Sequence, residues 1–310
     1  MKIVVGLGRL EDLEAYARCG ADEVFCGYAP AQWLEKYGMR LPVNRRESLL
    51  SPVNIGSRSD MRLLARRAQM AGVDVSVTCN SLSYVPEQYD LLTEMIRDLA
   101  DMGICRCIVA DPALLLRLRN MAGIRLHASG ELGAYDRDGM ALLREWGVER
   151  YIFHRKMRIS EMAACVKDGP GAEYEAFVLN ERCYYTGAMC HCLHGDIVGP
   201  LCRVPWKIGG VAEKKDMPCR EMDAGGAEDL GGSGCGLCAL PDLARAGITH
   251  LKIVGRGNHA RWMERDIRAV KRAIEIMQEG ENGYEERMQA ELFSQGCPGR
   301  CYYPGNKKCE

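Results

Sequence analysis

The feature that most constrains the fold is a junction that recurs along the chain. An amphipathic stretch ends in glycine, and a short run of branched or apolar residues follows. The junction occurs at Gly20, Gly72, Gly103, Gly147 and Gly247. Glycine readily takes the left-handed conformation that ends a helix, and runs rich in Val and Ile suit parallel strands that are covered on both faces. Each junction therefore predicts a helix that stops and a buried strand that starts.

Three further apolar runs complete the set of predicted strands. They are residues 2–5, 124–127 and 174–179. Strands that alternate with helices predict the α/β class, and eight of them favour closure into a (β/α)8 TIM-barrel-like fold over an open doubly wound sheet. We expect residues 1–275 to form this barrel and residues 276–310 to form a C-terminal helix and a cysteine-containing tail.

Composition and charge restrict the kind of protein. The 41 Lys and Arg residues nearly balance the 42 Asp and Glu residues, so the overall charge does not indicate a general nucleic-acid binder. We expect no membrane span, because no apolar stretch approaches the roughly 20 residues that a span needs. The chain begins with a strand-like run, which predicts a cytoplasmic protein. Sixteen cysteines without a signal peptide then favour catalytic or metal-binding thiols over disulfides.

A long Cys-rich loop joins the predicted seventh and eighth strands, at about residues 180–241. A loop of this length needs an internal anchor, which a metal would provide. Its cysteines are Cys183, Cys190, Cys192, Cys202, Cys219, Cys235 and Cys238. Four thiolates can hold a 4Fe–4S cluster or tetrahedral zinc. Only Cys235 and Cys238 form a short Cys-x-x-Cys pair, whereas a structural zinc site usually has two such pairs, so we favour iron–sulfur over zinc.

The predicted strand ends carry further candidate residues, because barrel enzymes place their chemistry at the carboxyl ends of the strands. Cys26, Asn80, His127, His154 and Arg256 should all open onto this end. His127 is a candidate catalytic residue, although a structural histidine at a strand end is equally consistent with the pattern. Lys252 and Arg256 bracket the end of the last strand, where a barrel commonly binds phosphate or carboxylate.

Several stretches resemble a known family. They are Gly-Ala-Asp-Glu-Val-Phe-Cys-Gly at 20–27, Val-Thr-Cys-Asn at 77–80, Ile-Val-Ala-Asp-Pro at 108–112, His-Ala-Ser at 127–129 and Leu-Lys-Ile-Val-Gly-Arg at 251–256. The most specific stretch is Glu-Ala-Phe-Val at 175–178, followed by Cys183, Cys190 and the pair Cys202-Arg203. This pattern resembles the collagenase-like peptidase family of unassigned catalytic type, peptidase family U-32.

The resemblance implies a barrel-like fold and a cofactor. Relatives that act in oxygen-independent hydroxylation of ubiquinone, or of ribosomal or transfer RNA, imply a 4Fe–4S cluster on Cys183, Cys190, Cys202 and Cys238. The run Asn-Glu-Arg at 180–182 departs from the triplet that usually precedes the first cysteine. Because this run lies beside the expected pocket, the substrate does not carry over.

Three functions follow as hypotheses. The first is an iron–sulfur enzyme for oxygen-independent hydroxylation, or a related modification, of RNA or a quinone-like small molecule. The second is a peptidase with a thiolate nucleophile or a bound metal, although the sequence has neither a His-Glu-x-x-His helix nor a Gly-x-Ser-x-Gly elbow. The third is a non-catalytic iron–sulfur subunit that docks on a paralogous protein.

The C-terminal tail contains Cys297, Cys301 and Cys309. These cysteines could hold a second metal, or the tail could cap the barrel.

Overall fold

The computed structural model describes residues 1–38, 41–46, 53–133, 136–167, 172–183, 186–191, 206–207, 219–220 and 228–304. Much of the predicted Cys-rich loop, including Cys202, and the terminal Cys309 therefore lie outside the described residues. Among the described residues, no helix is both long and apolar enough to cross a membrane.

The strands form a closed parallel barrel. In chain order they are β1 (Lys2–Gly6), β2 (Glu23–Tyr28), β3 (Asn54–Ile55), β4 (Asp74–Cys79), β5 (Arg106–Val109), β6 (Arg125–Ala128), β7 (Val148–Ile152), β8 (Glu173–Leu179), β9 (Trp206–Lys207), β10 (Cys219–Arg220) and β11 (His250–Ile253). The barrel order is β1-β11-β8-β7-β6-β5-β4-β2, and β2 pairs again with β1 to close it. The predicted eight-stranded barrel is confirmed. β3 adds two residues beside β2, and β9 and β10 form a separate antiparallel pair.

Helices surround the barrel. In chain order they are α1 (Leu13–Cys19), α2 (Ala31–Tyr37), α3 (Arg58–Ala71), α4 (Tyr89–Asp101), α5 (Pro112–Leu118), α6 (Arg137–Glu145), α7 (Ile159–Lys167), α8 (Leu240–Arg245), α9 (Ala260–Glu279) and α10 (Tyr284–Leu292). Gly72 shows how a glycine at these junctions ends a helix before the next strand. Its φ of 68° is left-handed, and its N–H donates to carbonyls in the last turn of α3, so the helix ends and β4 begins two residues later.

The barrel interior contains a network of buried charges. The Arg150 guanidinium on β7 donates to both carboxylate oxygens of Glu23 at 2.8 Å and to Glu175 at 3.0 Å. Lys252 on β11 donates to the other oxygen of Glu175 at 2.6 Å. Burial alone would raise the pKa of Glu23 and Glu175, but the adjacent cations outweigh it and hold both pKa values below the usual range. Both carboxylates are therefore ionised at neutral pH.

Replacing Arg150 with Ala should destabilise the protein strongly. The change leaves Glu23 and Glu175 as buried charges that have lost their shared cation, which typically costs about 3–5 kcal/mol. Arg158→Ala is the matched control, because its ion pair with Glu161 lies on the surface and such pairs contribute under about 1 kcal/mol. Urea unfolding followed by circular dichroism measures both free energies of unfolding. Equal losses in the two variants would contradict the role given to the buried network.

Candidate functional site at the barrel mouth

A cleft opens at the carboxyl ends of the barrel strands. It holds about 620 Å³ of space, part of it open to solvent. Its lining is rich in cations, contributed by Arg45, Arg46, Arg155, Lys252 and Arg256. Among the described residues, two carboxylates line the cleft, from Glu131 and Glu181. Although the net charge of the chain is −1, this cleft is therefore a local site that suits an anionic group.

Lys252 contributes to the cleft from the last barrel strand. Its ammonium is bonded to Glu175 and lies 3.8 Å from the centroid of the Phe25 ring. Burial lowers the pKa of Lys252, while the charge of Glu175 and its hydrogen bond oppose that shift. Glu175 thus holds the ammonium in place beside the cleft, and the ring of Phe25 lies against it.

Arg256 is held by several neutral acceptors. Its guanidinium donates to the Thr78 hydroxyl at 3.2 Å, to the Asn54 side-chain oxygen at 3.4 Å and to the Arg46 carbonyl at 3.5 Å. Gly27 makes room for it, since a Cβ at this position would lie 2.3 Å from the Arg256 guanidinium and 1.9 Å from the Asn54 oxygen. The glycine that ends the motif at 20–27 is therefore required by the position of Arg256.

Two other arginines of the lining share one carboxylate. Glu131 accepts from Arg45 at 2.6 Å and from Arg155 at 3.0 Å. The Arg155 guanidinium also lies 4.1 Å from the centroid of the Phe177 ring. Burial alone would lower the pKa of Arg155, but Glu131 outweighs it and raises that pKa. This pair of arginines is therefore fixed and charged.

Cys183 and residues 186–190 lie beside Glu131 and its two arginines. The Gly187 N–H donates to the Cys183 sulfur at 3.2 Å, and the Met189 N–H donates to the Glu131 carbonyl at 3.0 Å. Gly187 has a φ of 75°, and a Cβ there would lie 2.9 Å from the backbone nitrogen of Lys156. A glycine is thus needed for the segment to lie this close to the barrel, and Cys183 stands beside the cleft.

The four predicted cluster ligands do not all lie in this segment. Cys238 lines a different cavity, together with Cys235, Cys297 and Cys301, and Cys202 lies outside the described residues. Among the described side chains, no group of three or more His, Cys, Asp or Glu is already posed to hold a metal ion. The ligand set read from the resemblance therefore stays a prediction.

His127 lies deeper in the barrel than expected. It is fully buried beside Glu23 and Arg150, and it is not part of the cleft lining. Neither ring nitrogen has a hydrogen-bond partner within the described part of the chain. Burial and the neighbouring Arg150 lower its pKa well below the usual value, so the ring is neutral. Further along the same strand end, Ser129 and Glu131 do reach the cleft.

The other predicted strand-end residues divide in the same way. Asn80 lines the cleft, and its side-chain oxygen accepts from the backbone N–H of Arg45 at 3.1 Å. Cys26 is fully enclosed, and His154 packs near Gly187.

The sequence patterns did not predict Arg45 and Arg46, which lie in the connection between α2 and β3, where the sequence has no helix or strand periodicity. The only available signal was a pair of adjacent arginines in the long connection that follows a strand end.

Comparisons with known proteins agree with the motifs. A family profile for peptidase family U32 matches residues 8–308. The curated "tRNA hydroxylation protein P1" of Bacillus subtilis (strain 168) is 24% identical over 190 residues, which is 61% of this chain and 41% of that protein. The chain thus matches less than half the length of this relative.

Similarity to solved structures is weaker in sequence. The "U32 Peptidase Mk0906" is 13% identical, with a TM-score of 0.43 over 57% of this chain and 68% of that one. An octameric ribulose-1,5-bisphosphate carboxylase/oxygenase from Pyrococcus horikoshii OT3 is 10% identical, with a TM-score of 0.50 over 94% of this chain and 64% of that one. At these identities the likeness concerns the fold alone. Since the family profile extends over nearly the whole sequence, the chain belongs to peptidase family U32.

Proposed function

We propose that this protein is an iron–sulfur enzyme that hydroxylates RNA, or modifies it in a related way, without molecular oxygen. The observation that carries the proposal is the cationic cleft at the barrel mouth, bordered by Cys183 on one side. Arginine forks and a lysine charge suit the phosphates that flank a nucleotide. The name of the Bacillus subtilis relative supports RNA over a quinone-like substrate. The cationic lining does so too, because a quinone ring carries no negative charge.

The proposed cofactor is a 4Fe–4S cluster at the edge of the cleft. Cys183 fits as a ligand because its sulfur accepts a backbone N–H and lies near the cation of Arg155. Cys190 follows from the family motif. Cys202 follows from the family motif, and the same motif offers Cys238 as the fourth ligand. The structure supports Cys238 less than Cys183, because Cys238 lines a separate cavity. When bound, the cluster would supply one-electron chemistry next to the substrate.

The residues of the chain itself would bind and orient the substrate. Arg256 is held by Thr78 and Asn54, so its guanidinium is positioned in advance to grip a phosphate with two parallel hydrogen bonds. Lys252 adds a point charge at the same end of β11. Hydroxylation oxidises the substrate by two electrons. Without molecular oxygen, a co-substrate must therefore accept those electrons, either by donating an oxygen atom or by allowing water to supply it.

The same cleft gives little support to peptide hydrolysis. A cysteine or serine peptidase needs a nucleophile within hydrogen-bond reach of a base, beside an oxyanion site. In the described part of the chain, the cleft lining contains neither histidine nor cysteine. Its fixed arginines would instead select an anionic partner.

Arg256→Ala should lower RNA modification about 10- to 100-fold and leave the iron content unchanged. The loss corresponds to about 1.5–3 kcal/mol for hydrogen bonds to a charged group. Arg256→Lys should recover only part of the activity, because lysine keeps the charge but loses the fork. Arg261→Ala is the matched control, since Arg261 is exposed at the start of α9. Mass spectrometry of nucleosides from complemented deletion cells gives the extent of modification. Full activity in the Arg256→Ala protein would contradict substrate binding at this cleft.

Cys183→Ala should lose iron and activity together, because it removes a proposed cluster ligand. Cys105→Ser is the control, since Cys105 lies in the turn between α4 and β5 and away from the cleft lining. Iron analysis after anaerobic purification measures the first effect, and the nucleoside assay measures the second. If iron-free wild-type protein cleaves peptides, the peptidase hypothesis replaces this one.

A further inference from the structure

The chain takes two consecutive left-handed residues where it leaves β8. Asn180 has a φ of 69° and Glu181 has a φ of 50°, and neither is glycine. Asparagine enters this region fairly readily because its short side chain can bond to the nearby backbone, whereas glutamate does so rarely. Such positions persist only where the surrounding structure imposes them, and they concentrate at functional sites. The turn is therefore a candidate for a functional role.

Hydrogen bonds from three parts of the chain impose this turn. The Asn180 side chain is fully buried, and its amide donates to the Val254 carbonyl at 3.2 Å and to the Asp266 carboxylate at 2.8 Å. The Glu181 N–H donates to the Ser233 hydroxyl at 3.3 Å. These partners lie just after β11, within α9 and before α8. The backbone of Glu181 is thus held in a conformation that its own side chain does not favour.

The turn brings the Glu181 carboxylate into the cleft. Glu181 and Arg46 both belong to the lining, and their side chains form an ion pair although 135 positions separate them in the sequence. The two side chains are 19% and 28% exposed, so water screens the pair only in part. A backbone turn of the opposite hand would direct the Glu181 side chain away from this position.

Arg46 is a neighbour of the arginine that is proposed to bind phosphate. The Arg46 carbonyl accepts from the Arg256 guanidinium at 3.5 Å. Glu131 already holds two other arginines of the lining in fixed positions. An arginine side chain has many rotamers, and a carboxylate partner orders it before an anion arrives. Glu181 gives Arg46 such a partner.

We propose that Glu181 is a positioning residue, and that the left-handed turn serves to bring its carboxylate to Arg46. The ordered guanidinium of Arg46 then meets an anionic group of the substrate together with that of Arg256. A carboxylate also repels an anion, so the gain from the ordered guanidinium must exceed that repulsion. The inference rests on the proposed function only in taking the anion to be an RNA phosphate. A strained turn that supports an ion pair does not depend on the identity of the substrate.

Urea unfolding tests the strain in the turn. Glu181→Gln and Glu181→Gly both remove the charge, but only glycine takes a φ of 50° readily. Glu181→Gly should therefore unfold at a higher urea concentration than Glu181→Gln. Glu161, which pairs with Arg158 on the surface of α7, gives the matched control. There the order should be reversed, because glycine weakens a helix. A midpoint for Glu181→Gly at or below that of Glu181→Gln would overturn the strain.

RNA binding tests the positioning role. Fluorescence anisotropy with a short single-stranded RNA gives the Kd of the wild type and of each variant. Glu181→Gln should weaken binding about 2- to 10-fold, which is the effect of ordering one long side chain on binding. Glu161→Gln should change nothing. Arg46→Ala should bind more weakly than the wild type, and adding Glu181→Gln to it should cause no further loss, because Glu181 acts through Arg46.

The outcomes separate this inference from the proposed function. RNA binding that is unchanged or tighter in Glu181→Gln would overturn the positioning role and leave the proposed function intact. If the wild type does not bind RNA, the proposed function fails, and calorimetric titration of the same variants with inorganic pyrophosphate decides the positioning role. That role stands if pyrophosphate gives the same order of affinities. It falls if the order differs or if the wild type does not bind pyrophosphate.

Discussion

The Glu175 carboxylate connects the interior of the barrel with its mouth. One of its oxygens accepts from Arg150 at 3.0 Å, and the other accepts from Lys252 at 2.6 Å. Burial alone would raise the pKa of this carboxylate, but Lys252 and Arg150 outweigh it and hold that pKa below the usual range. The same bonds hold the Lys252 ammonium beside the cleft. The buried charge network inside the barrel therefore also supports the proposed substrate site.

β8 links this interior to both groups of cysteines. Glu175 lies within the strand, and the chain continues from its end at Leu179 to Cys183 beside the cleft. The Phe177 carbonyl on the same strand accepts from Tyr303 in the tail, and Leu179 pairs with Cys235. The C-terminal tail is thus bonded to the strand that leads to Cys183.

Local sequence patterns were enough to predict the eight barrel strands, because a helix-ending glycine and a short apolar run are both read within a few residues. They also placed Lys252 and Arg256 at the end of the last strand, and both residues line the cleft. Contacts between distant segments were not predictable in this way. The hydrogen bonds between Glu23 and Arg150 span 127 positions, and Cys301 in the tail meets Cys235 only in the folded chain. His127 was expected at the mouth but lies deeper, because strand-end position does not give depth along the barrel axis.

The central claim, a cluster beside an RNA-binding cleft, can be tested directly by electron paramagnetic resonance. The measurement uses anaerobically purified wild-type protein reduced with dithionite, with and without RNA from cells that lack this protein. The account predicts the signal of a reduced 4Fe–4S cluster and a change in that signal when RNA binds. An absent iron signal, or a signal that stays the same while RNA is bound, would contradict it.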